Sequence, residues 1–142
     1  MTFQYQQEFD LLGLKDCPPS SYSVQNLEKV FRWVFDDIED SRNFQPQYHK
    51  NPQRFWSKNA EMVCSSLALS LFDTAENAEI RFYELRELLQ QKAYTVLGTK
   101  IAVGHLTEQD RTNSKCDEKG HFNHHPISSS RYGERFTIIQ NL

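Results

Sequence analysis

Four of the five histidines lie late in the chain, at His105, His121, His124 and His125, and Cys116 sits five residues before His121. Neutral imidazole and thiolate are ligands that a tetrahedral zinc ion takes, so Cys116, His121 and His124 form a candidate metal set. The same segment also reads as a polar loop whose Gly120-His121-Phe122 turn docks against a sheet. It carries no CxxC pair. His105, near the end of an expected strand, titrates near neutrality and could serve as an acid or base, or as a hydrogen-bonded structural histidine. Ser66, Ser70 and Cys64 are further nucleophile types, but none stands in a Gly-x-Ser-x-Gly elbow, so hydrolase chemistry finds no support. The five glycines are isolated, with neither GxGxxG nor a Walker pattern, and no cofactor is expected from motifs.

These residues need a scaffold, and 142 residues of 16.7 kDa suit one domain. A chain of that size buries roughly two-thirds of its unfolded surface, enough for a core without staples. Aromatic residues make up 13% of the chain, which argues against disorder throughout. The formal charge is −3 and the pI about 5.9, which removes the general electrostatic case for nucleic acid. The opening residues lack a basic patch followed by an apolar stretch, so no secretory leader is expected. Leu67 to Phe72, the most apolar segment, is far too short to span a bilayer, so no membrane association is expected. Three widely spaced cysteines, Cys17, Cys64 and Cys116, fit reduced thiols in a cytoplasmic protein.

The element pattern predicts a single small α+β domain: a mixed sheet, one long helix packed on it and two long loops. Residues 1–20 read as an arm that packs through Phe9, Leu11, Leu12 and Leu14 and ends at Cys17-Pro18-Pro19. Val24 to Ile38 carries both a helical spacing and a β-branched, aromatic run, and a strand over Lys29–Phe35 is the preferred reading. Residues 39–59 form the first loop, pinned by Phe44, Tyr48, Phe55 and Trp56; loops of that length are often functional. Leu67, Leu69 and Leu71 alternate as in a buried strand, with Ser70 as a small core residue. Asp73 and Glu76 have capping-box spacing, and Ala78, Phe82, Leu85 and Leu89 give the next helix an apolar face. A strand over Thr99–Thr107 would complete a β-α-β unit. The second loop spans Glu108 to Arg131, and Arg135–Ile139 reads as a closing strand, central or near-edge.

Three segments, Leu69-Ser-Leu-Phe-Asp-Thr74, Leu97-Gly-Thr-Lys-Ile-Ala-Val-Gly-His-Leu106 and Gly120-His-Phe-Asn-His-His-Pro126, resemble a family of uncharacterised bacterial proteins over about residues 28–126. That resemblance implies one shared domain and no particular activity. The order Arg32, Ser70, Glu134 also resembles the Arg-Ser-Glu layout of ADP-ribosyltransferases, with Ser70 just before the helix. The likeness implies that Arg32 holds the phosphates of NAD, Ser70 orients the ribose, and Glu134 stabilises the charge that develops as nicotinamide leaves. The Leu69-Ser-Leu71 and Tyr132-Gly-Glu134 contexts depart from that family's Ser-Thr-Ser and Gln/Glu-x-Glu.

Lacking a complete catalytic constellation, the sequence points first to a non-catalytic binding or accessory module acting on a protein partner. An NAD-using transferase at Arg32, Ser70 and Glu134 is the alternative, and a metal-binding domain at Cys116, His121 and His124 the second.

Overall fold

The computed structural model describes residues 2–25, 27–128 and 130–142. Five strands form one sheet: β1 (Val30–Val34), β2 (Leu69–Phe72), β3 (Lys100–Gly104), β4 (His121–His124) and β5 (Phe136–Asn141), in the order β4-β2-β1-β3-β5. Every pairing is antiparallel, so the expected mixed sheet is corrected. The helices are α1 (Gln6–Leu11), α2 (Gln47–Lys50), α3 (Ala60–Ser66), α4 (Ala75–Leu89), α5 (Ala93–Val96) and α6 (Tyr132–Arg135). The domain is α+β, with the one long helix α4 against the sheet.

The β2-α4-β3 unit forms where the periodicity placed it. Its two strands run parallel to one another, but β1 lies between them and pairs antiparallel with both. Strand alternation then sorts the residues. Val30, Val34, Leu69, Leu71, Ala102 and Phe122 are all 1% exposed or less and pack with Tyr132 and Phe136 on one face. Each large apolar side chain buried this way contributes about 1.5–3 kcal/mol relative to exposure. The opposite face, with Phe72 and Ile101, packs against Ala78 of α4. Trp33 on that face donates from Nε1 to the Ala78 carbonyl at 2.8 Å, which ties α4 to β1.

Several boundaries differ from expectation. Thr74, not Asp73, caps α4 by accepting from the Asn77 N–H at 3.0 Å, while Asp73 receives the Asn77 side-chain amide at 2.8 Å. Gly120, at φ +77°, passes so close to Asp73 that an added Cβ would lie 2.1 Å from its carboxylate. The first expected loop carries α2 and a 3-10 turn over Pro52–Phe55. The second contains β4, which joins the sheet because His121–His124 pairs along the whole of β2. β5, expected as central or near-edge, is the edge strand beside β3. In the arm, Phe9 is buried and Leu14 packs beside it, but Leu11 is 80% exposed. Trp56 points outward at 71% exposure, while Phe55 is buried. Among the described residues, no helix is long and apolar enough to cross a membrane.

Candidate functional site

Arg32 is an inward residue of β1, flanked at i±2 by the fully buried Val30 and Val34, and is itself 7% exposed. β1 meets β2 at one register pair, Phe31 with Phe72, and beyond it the guanidinium takes over the bonding. Its Nη1 donates to the Ser70 carbonyl at 2.8 Å, Nε to the Asn43 carbonyl at 2.7 Å, and Nη2 to the Gln45 carbonyl at 3.5 Å. A guanidinium has five N–H donors, so about two remain beyond these three bonds. Among the described residues no carboxylate pairs with Arg32. Burial pushes its pKa down to about 10, the direction expected of a cation held without a counter-charge.

Asn43 fixes the loop that supplies those carbonyls. Its Oδ1 accepts from the Phe35 N–H at 2.6 Å, and its amide donates to the Asp37 carbonyl at 2.8 Å and the Ile38 carbonyl at 3.1 Å. The chain then enters α2 and the following turn, which bring Lys50 and Arg54 beside Arg32. The three cations share one cavity of about 200 Å³, whose walls also include Trp33, Gln45, Gln47, Asn51, Ser70, Val96 and Leu97. Among the described residues no Asp or Glu lines it. Lys50 is exposed, yet desolvation of its ammonium and the charges of Arg32 and Arg42 hold its pKa down to about 8. Arg54 donates one long hydrogen bond among the described residues, from Nη1 to Gln47 Oε1 at 3.4 Å, and its guanidinium lies 5.5 Å from the Phe55 ring centre. Two further hollows, of about 480 and 360 Å³, have Gln47 and Ser70 in common with the cationic cavity and His121 in common with each other.

No family model, curated protein or solved structure matches the chain. The chemistry of the site therefore rests on its own geometry.

That geometry divides the residues of the expected transferase site. Arg32 and Ser70 line the same cavity. Glu134 lies on α6, exposed and paired with Arg131 at 3.6 Å, and lines a different hollow with Thr107, Asp110 and Arg135. The expected metal trio does not assemble. His121 and His124 are three positions apart on β4, so strand alternation sends them to opposite faces. His121 lies near Asp117 at 3.7 Å, with burial lowering its pKa against the pull of that carboxylate. His124 is fully buried with both ring nitrogens engaged, by Asn113 Oδ1 and the Tyr132 hydroxyl. Cys116 packs at the margin of the core, and burial together with Asp73 and Asp117 raises its thiol pKa. His105, exposed just beyond the end of β3, donates from Nδ1 to the Glu28 carbonyl at 2.8 Å.

Two features had no signal in the sequence. Lys50 and Arg54 fall within the 39–59 segment, whose length alone marked it as functional; nothing in their spacing paired them with Arg32. The expectation of three free thiols is also corrected. Cys17 and Cys64, 47 positions apart, form a disulfide with Cα atoms 5.7 Å apart, and Cys116 alone is free. The arm packs on Leu67 through Phe9 and Tyr5, and this contact brings the two sulfurs together.

Proposed function

We propose that this domain binds a small anionic molecule, most fittingly one bearing a phosphate, with its charged group at Arg32, Lys50 and Arg54. The observation that carries the reading is the buried Arg32 guanidinium: anchored by three backbone carbonyls, lacking a carboxylate partner among the described residues, and opening into a cavity with two more cations. A buried charge is costly unless paired, and a fixed guanidinium with spare donors matches the geometry of a phosphate oxyanion. Gln45, Gln47 and Asn51 add neutral polar groups around it, while Trp33, Val96 and Leu97 offer apolar surface to the organic part of the ligand.

NAD falls within this ligand class, but the reading assigns no transfer chemistry, since Glu134 lines another hollow. The rival, a non-catalytic module of the bacterial cytoplasm docking on a protein partner, draws on the exposed Trp56, Met62 and Leu88. The two separate in one titration. Pyrophosphate and NAD, each at millimolar concentration and low salt, should raise the melting temperature of the wild type by several degrees. Arg32→Met and the surface pair Lys50→Gln/Arg54→Gln should each weaken binding at least tenfold, the second without disturbing the core. An unchanged melting temperature with both ligands, or equal binding by the Lys50→Gln/Arg54→Gln variant, would overturn the reading.

A further inference from the structure

Away from the cationic cavity, the Cys17–Cys64 disulfide lies against an imidazole. His125 Nε2 is 3.8 Å from the Cys64 sulfur, and the ligand atoms of Cys17, Cys64 and His125 all lie within 4.8 Å of one another. His125 is 1% exposed, and its Nδ1 is the one buried side-chain nitrogen or oxygen without a hydrogen-bond partner among the described residues. Phe9 meets the ring edge-on at 5.7 Å and Tyr22 lies at 5.9 Å. Disulfide sulfur is a weak acceptor, and a buried polar ring on these terms gains little for its desolvation.

We infer that reduction of this disulfide turns Cys17, Cys64 and His125 into a binding site for a soft divalent metal ion, zinc above all. A dithiol reductant supplies the two electrons: its own thiols close to a disulfide, the Cys17–Cys64 bond breaks, and each sulfur leaves as a thiol. The ion then takes both sulfurs as thiolates, releasing two protons to solvent, and takes the Nε2 lone pair of the neutral His125 tautomer, whose single ring proton moves to Nδ1. Zinc–sulfur and zinc–nitrogen bonds in a tetrahedron set ligand atoms about 3.5–3.8 Å apart, close to the sulfur–imidazole separation already present. Cys17 is half-buried whereas Cys64 and His125 are buried, so the fourth position, for water, opens on the Cys17 side. The ligands come from the arm, from α3 and from the segment after β4, so the ion would hold the arm as the disulfide does.

The test uses cobalt(II) as a spectroscopic probe on the full chain, reduced with a phosphine under anaerobic conditions. The expected result is a tetrahedral cobalt spectrum with sulfur-to-metal charge transfer, saturating at one ion per chain and bleached by zinc. Cys17→Ser and His125→Gln should abolish it, Cys116→Ser should keep it, and the oxidised protein should show none. Circular dichroism on each sample separates loss of ligand from loss of fold. A reduced, folded wild type without that spectrum would overturn the inference, as would the same spectrum in Cys17→Ser.

Discussion

Reducing the Cys17–Cys64 bond in metal-free buffer should lower the stability of the domain by about 4 kcal/mol. The bond closes a loop with a sequence separation of 47 residues. The chain-entropy relation for such a loop removes roughly 13–14 cal/mol/K from the unfolded state, which gives about 4 kcal/mol at 25 °C. Unfolding entropy of about 2.1 cal/mol/K per residue, taken over 142 residues, converts that loss into a fall of about 13 °C in Tm. The native side of the balance supports a loss of that order. The crosslinked arm buries Tyr5 and Phe9 on Leu67, and Ser23 exchanges backbone bonds with Asn113 at 2.9 and 3.1 Å. These contacts persist on reduction, so the effect falls on the freed unfolded chain. Melts followed by circular dichroism, with and without a phosphine and a chelator, measure it directly. Cys17→Ser should melt where the reduced wild type does, and Cys116→Ser should match the oxidised wild type. A change of less than about 3 °C on complete reduction would refute the argument, because the bond would then be constraining nothing.

Two further outcomes follow from the charged groups. With its pKa near 8, Lys50 is protonated at neutral pH and loses its charge across the range just above. The advantage of the wild type over Lys50→Gln in pyrophosphate affinity should therefore shrink several-fold between pH 7 and pH 9, a ratio that cancels the ligand's own ionisation and that calorimetry at each pH would record. Asp110 is 2% exposed and holds Arg135, whose Nη1 lies 3.2 Å from Oδ1, together with the Thr107 N–H at 2.8 Å. Burial raises the Asp110 pKa, but the hydrogen bonds from Arg135 and Thr107 outweigh it and leave the carboxyl below its usual range. Arg135→Met strands that carboxylate and should cost about 3 kcal/mol in urea denaturation; Asp110→Asn/Arg135→Met should cost less than the sum of the single changes.

Local patterning determined much of the scaffold. The alternating leucines from Leu67 to Leu71 and the Ala78–Phe82 spacing announce β2 and α4, because each depends on residues one to four positions apart, whereas the β1 segment carries both a helical and a strand pattern and the strand is only the preferred reading. β4 escaped that reading: His121-Phe-Asn-His124 is too polar and short to show a period, and it becomes a strand only because β2 offers a free edge. Arg32 and Ser70, which line one cavity, are grouped in the sequence only by the resemblance to the Arg-Ser-Glu layout, not by composition or spacing.

The tertiary structure alone decided the rest, since it turns on contacts between distant segments. Inserting β1 between β2 and β3 made the sheet antiparallel throughout, and a pattern that scores each strand by itself cannot see its neighbours. The alternation of β4 sent His121 and His124 to opposite faces and dissolved a metal set that looked compact in one dimension. In its place the fold gathered Cys17, Cys64 and His125, each more than forty positions from the next, and set Lys50 and Arg54 beside a buried Arg32. Residue types are written in the sequence, but which charge lacks a partner, and which sulfurs meet, is settled only by packing.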